Sequence, residues 1–232
     1  MSTESIGAGR RPAIDWRRAE FVLTALAFLG FLTVPIRITT IYGGLPAHPL
    51  FVHLPVVLIP CTIVAAIVFV IKPVWLSRYG IALALASIVA MNSIFLTMQA
   101  GAALRNELNL QGPAAKLISE HSHAAHILAY IYVLFTATLI LTFASQRISG
   151  GMPTGLAIVD RLLSPRPTLT ALRVVLVALS LGAGLMCFRT GDLGAKAVWL
   201  GRLQAAHHGF PDFPGGPKGE PGLYPPPGGG GP

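Results

Sequence analysis

Five histidines stand where side chains can do chemistry: His48 and His53 at the start of one apolar run, His121, His123 and His126 at the start of another. A neutral imidazole offers a nitrogen lone pair to iron, copper or zinc, and two imidazoles on facing helices can hold a b-type haem. His53 lies inside its apolar run and His126 heads its own, so these two are the first candidates for axial ligands, with His123 and His48 beside them. His123 falls one turn before His126 and shares its face. For a transition metal other than haem iron the candidate set is His53, His126, His121 and His123. Polar groups at this depth are costly unless partnered, and they commonly mark sites. The same residues admit a plainer reading, a hydrogen-bonded network at the membrane interface with no cofactor. The stretch HSHAAH is too loose to name a metal, and it is not the H-E-x-x-H of a zinc peptidase. Glu120 and Asp192 are the nearby carboxylates. No catalytic residue is assigned, and no independent catalytic activity is expected. Met98 and Gln99 are candidates to line the same pocket, whereas His207 and His208 lie outside it.

The elements that position these histidines are long and apolar. Leu50 to Ile71 has 22 residues without Asp, Glu, Lys or Arg, enough at about 1.5 Å per residue to cross a hydrocarbon core of about 30 Å. Pro55 and Pro60 are expected to kink it. Further spans run from about Tyr79 to Leu104, His126 to Ala144 and Leu169 to Phe188. The chain crosses the membrane twice between the two histidine groups, so they share a side, together with the segment Arg189 to Trp199. There Asp192 can pair with Arg189 or Lys196. SGGMPTG around Gly150 reads as a turn. Phe21 to Val34, extended to 19–38, reads as a retained membrane helix, with an interfacial helix or a cleaved signal as alternatives. The expected fold is therefore all-α: a transmembrane four-helix bundle over 42–199, an additional N-terminal transmembrane or interfacial helix over 19–38, a flexible basic segment over 1–18, and a disordered Pro/Gly-rich tail over 207–232.

Composition agrees. Of 232 residues 53% are apolar and only 11% charged, where a soluble domain carries about a quarter. The net charge of +8 sits at the ends of apolar runs, which favours membrane topology over nucleic-acid binding. With five spans, nine Lys and Arg fall on the side of the N-terminus and seven on the other. The expectation is a multi-pass plasma-membrane protein with a cytoplasmic N-terminus and an outer C-terminus. Cys61 and Cys187, both inside apolar runs, read as small buried hydrophobes. The expected partners are the bilayer and a larger membrane complex or redox protein.

Two motifs carry a resemblance. Leu45, Pro46, His48 and Pro49 followed by Val52, His53 and Pro55, and then Gly191, Gly194, Ala195, Lys196, Ala197, Val198 and Trp199, resemble the opening and closing segments of the DUF2231 membrane family, the latter in its actinobacterial-like members. His121, His123 and His126 occupy a family-like stretch before the third helix. The resemblance covers about Tyr42 to Trp199 and implies four transmembrane helices. Some relatives travel with cytochrome or Rieske-type redox proteins, which implies a redox setting. Three functions are thus in view: a haem-binding electron-transfer component of a membrane redox complex, a cofactor-free accessory or structural subunit, and a metal-handling or transport protein.

Overall fold

A computed structural model describes residues 16–33, 38–40, 44–108 and 112–207. The first fifteen residues and the Pro/Gly tail from residue 208 lie outside them. The described residues form seven helices: α1 (Trp16–Thr33), α2 (His48–Phe51), α3 (His53–Ile71), α4 (Pro73–Leu108), α5 (Gly112–Ser149), α6 (Ala157–Leu163) and α7 (Arg166–His207).

Proline and glycine punctuate the chain. Pro49 sits in the first turn of α2, where a missing N–H costs nothing. Pro55 has no N–H to offer the Phe51 carbonyl, and the helix is interrupted at Val52. Lys72 leaves helical geometry at φ −118°, ψ 77°, as the residue before Pro73 must, and this makes a hairpin turn between α3 and α4. Gly150 and Gly151 end α5, the latter at φ +79°. In the following turn Asp160 accepts from the backbone N–H and hydroxyl of Thr154 and from the N–H of Gly155.

The four long helices close into a ring in the order α3, α4, α5, α7, with α1 against α4 and α5 and short α2 against α4. Their shared core includes Ile59, Leu76, Met91, Tyr132, Phe135 and Leu176. Two hydroxyl pairs tie it across helices, Thr62 to Tyr132 at 2.6 Å and Ser87 to Thr136 at 2.8 Å. Gly80 lets α4 approach α5 where a Cβ would collide with the Phe143 ring. Outward faces are as apolar as the core, with Val56, Val64, Val74, Leu134, Leu181 and Phe188 all exposed. Helices apolar all round belong in a bilayer, and the spans His48–Ile71, Pro73–Leu108, Gly112–Ser149 and Arg166–Trp199 are long and apolar enough to cross it. The chain is an all-α, multi-pass membrane protein.

Several expectations change in detail. The helices run well past the apolar runs, to 36, 38 and 42 residues for α4, α5 and α7, because backbone hydrogen bonding continues where the apolar sequence stops. Cys61 is exposed and Cys187 half-buried, both as free thiols, so Cys61 is a lipid-facing residue. Phe21, Ala27 and Phe28 of α1 pack on Ala84, Ile88 and Ile140. Arg147 of α5 meets Glu20 at 2.6 Å, so α1 begins on the side where α5 ends.

Candidate functional site

The helix rise locates the histidines. Pro73 and Thr97 are 24 positions apart in α4, and Arg166 and Thr190 are 24 apart in α7. At 1.5 Å per residue both threonines lie about 36 Å from the end marked by the α3–α4 turn. With a hydrocarbon core of about 30 Å, that is the opposite interface. His48 and His121 arrive at this level from α2 and α5.

The two make matching contacts. His48 Nδ1 lies 2.9 Å from the Thr97 carbonyl oxygen, and His121 Nδ1 lies 2.8 Å from that of Thr190. A carbonyl only accepts, so each Nδ1 carries a proton and donates it, and a ring that is neutral in this position keeps its lone pair on Nε2. A helix carbonyl has two lone pairs, one used by the N–H four residues on and one free for such a donor. The residue four positions on is glycine in both cases. A Cβ on Gly101 would meet His48 Nδ1 at 2.9 Å, and one on Gly194 would meet His121 Cε1 at 3.1 Å. The same Thr-x-x-x-Gly spacing thus serves in α4 and in α7, at Thr97–Gly101 and Thr190–Gly194. Each copy presents a carbonyl beside a bare helix face on which one imidazole rests. Both threonine hydroxyls bond back four residues, to Ser93 and Met186. The two rings then meet edge to face, with centroids 6.4 Å apart and planes at 84°.

The other histidines point elsewhere. His53 is exposed, with Nδ1 3.2 Å from the Leu50 carbonyl of its own chain segment. His126 is exposed and bonds Ser122 one turn back at 2.7 Å. His123 is exposed on the same outer face. The structure thus brings together His48 and His121 from the candidate list and leaves His53, His123 and His126 on the outside. Gln99 is partly buried near this end, and its Oε1 has no hydrogen-bond partner among the described residues. Asp192 pairs with Lys196 at 2.6 Å as an exposed pair one turn apart on α7.

Among the described residues no group of three or more His, Cys, Asp and Glu gathers in a way that would hold a metal ion. At mid-membrane depth the cross-helix polar contacts are the two hydroxyl pairs. The glycines and backbone carbonyls were the missed part of the site. The repeated Thr-x-x-x-Gly at the ends of two apolar runs was the signal that could have found them.

No curated protein and no solved structure matches this chain. One family model, described as predicted membrane protein (DUF2231), matches residues 44–207. That range takes in both histidines, both Thr-x-x-x-Gly segments and all four spans, and leaves α1 outside. The chain belongs to this DUF2231 family of predicted membrane proteins.

Proposed function

We propose that this chain is a cofactor-free accessory subunit of a larger membrane complex, with His48 and His121 as its internal brace. The observation that carries this is the use made of the two imidazoles. Each spends its Nδ1 proton on a backbone carbonyl of another helix and rests on a glycine of that helix, so α2 is fixed to α4 and α5 to α7 by the same device. A brace accounts for the tautomers, the glycines and the ring contact together. It requires none of the further ligands that a closed metal site would need.

The outer end supports a docking role. Past Thr190, α7 runs 17 more residues to His207, about 25 Å, while α5 begins 9 residues before His121, about 13 Å beyond the same level. The last turns of α7 therefore extend past the described start of α5, which suits a partner outside the lipid. We orient this end outward. The opposite end carries Lys72, Arg78, Arg147, Arg161 and Arg166 around its turns and faces the cytoplasm under the positive-inside rule. Purification from native membranes in mild detergent tests the reading. A stoichiometric larger complex is expected, and a lone monomer under conditions that preserve other complexes overturns it.

A second reading has one specific observation in its favour. Two imidazoles on opposite sides of one metal ion, with bonds of about 2.0–2.1 Å, set their centroids about 6 Å apart, close to the 6.4 Å between His48 and His121. A backbone acceptor on Nδ1 is also the usual support of a histidine ligand. In this reading the pair ligates a b-type haem or a transition metal and the chain serves electron transfer. Room between helices for a ring system is the added requirement.

A further inference from the structure

The α3–α4 hairpin carries a feature that neither the histidine brace nor the docking end of α7 uses. An open groove of about 520 Å³ runs along the lipid-facing side of α3, lined by Pro60, Cys61, Val64, Ala65, Val68 and Phe69 and ending at Trp75. A second hollow of about 400 Å³ continues from it over Phe69 and Trp75 to Val74, Arg78 and Tyr79. The two share Phe69 and Trp75 and so form one channel, apolar along its length and cationic at its mouth.

The mouth is built. Phe69 stacks edge-on against Trp75, with centroids 6.3 Å apart, and lies 6.5 Å from Tyr79. The Arg78 guanidinium sits 5.4 Å from the Tyr79 ring centre, which holds the cation at the rim. The two ion pairs found among the described residues, Arg147–Glu20 and Lys196–Asp192, involve neither Arg78 nor Lys72, so both exposed cations of this turn have no carboxylate partner among the described residues. Trp, Tyr and Arg at the end of a span mark the headgroup level.

We propose that this channel binds one anionic glycerophospholipid of the surrounding bilayer, with an acyl chain along Pro60–Val68 and the phosphate at Arg78. Charge complementarity selects the headgroup: the Arg78 guanidinium, the cation that lines the mouth, favours a net negative lipid over a zwitterionic one. The groove selects a chain. Pro60 and Phe69 are nine positions apart on the helix, about 13 Å, the length of roughly ten methylenes, and the walls are almost wholly apolar.

The test uses the full-length chain purified in mild detergent, exchanged into nanodiscs of phosphatidylglycerol, of phosphatidylcholine or of an equal mixture, re-extracted, and assayed for retained phospholipid by native mass spectrometry. The expected result is about one phosphatidylglycerol per chain, retained over phosphatidylcholine by about five-fold, the effect of one cation at a membrane surface. Arg78→Gln should abolish that preference, and Arg78→Lys should keep most of it. Val64→Trp fills the groove from its exposed wall and should reduce total retained lipid while leaving helicity intact. Arg105→Gln, at the other end of α4, should change nothing. Equal retention of the two lipids by the unaltered chain, or an unchanged preference in Arg78→Gln, overturns the proposal. Retention unaffected by Val64→Trp overturns the acyl-chain placement.

Discussion

His48 and His121 separate from the other histidines by what their rings touch. Each donates to the spare lone pair of a helix carbonyl and covers a glycine. His48→Ala or His121→Ala removes one cross-helix bond and leaves a ring-sized void, and each is expected to lower stability by about 1–3 kcal/mol. His53→Ala and His126→Ala remove exposed rings bonded within their own segments and should stay within about 0.5 kcal/mol of the parent. Thermal unfolding in one detergent, read by circular dichroism, checks all four; equal losses at His53 and His48 would contradict the brace. The glycines make the converse case. Gly101→Ala and Gly194→Ala force a methyl against an imidazole at 2.9–3.1 Å, an overpacking expected to cost about 1–3 kcal/mol, and Gly191→Ala, with open space at its Cβ, serves as the neutral control. The sequence showed that all five histidines share one side, because that needs only the number of spans between them. It did not show which ones turn inward. His48 and His53 are five residues apart, as are His121 and His126, and five residues rotate about 140° around a helix. Within the continuous α5 His121 and His126 therefore cannot both face the core, and a helix apolar all round gives no moment to choose between them. His123 and His126 do share a face, as their spacing requires, and that face is the exposed one.

At the scale of elements, the spans were legible from apolar length alone, and the turns at Lys72–Pro73 and Gly150–Gly155 from proline and glycine. The helix ends were not. Hydropathy falls where lipid ends, whereas the hydrogen-bond ladder continues into water, so α4, α5 and α7 outrun the runs that announced them. The hydroxyl pairs also escaped notice, since Thr62, Ser87, Tyr132 and Thr136 look like ordinary members of apolar stretches until the helices are paired. A double-mutant cycle with Thr62→Val and Tyr132→Phe should return a coupling of about 0.6 kcal/mol, the average for such bonds between membrane helices; zero coupling would show that the 2.6 Å contact does not join α3 to α5 in the bilayer. Placement of α1 rests on Phe21 and Phe28 over Ala84, Ile88 and Ile140 and on Glu20 with Arg147. Glutamate and arginine replaced by cysteine at these positions should therefore cross-link with a short bifunctional reagent in membranes. Failure to do so would argue for an α1 that lies away from the bundle.

For the whole molecule, the four-helix ring, the outward apolar faces and the family assignment agree on a multi-pass membrane protein, and the functional account turns on whether the His48–His121 pair holds helices or holds a metal. The two roles share the tautomer and the ring separation and differ in content. An oxidised-minus-reduced visible spectrum, with total metal counted on the same sample purified from its own membranes, decides between them. The account predicts no Soret difference band and far less than one metal ion per chain, with His48→Ala leaving the spectrum unchanged. A b-type band with about one iron per chain, lost in His48→Ala and in His121→Ala, would contradict it and make the pair an axial ligand set.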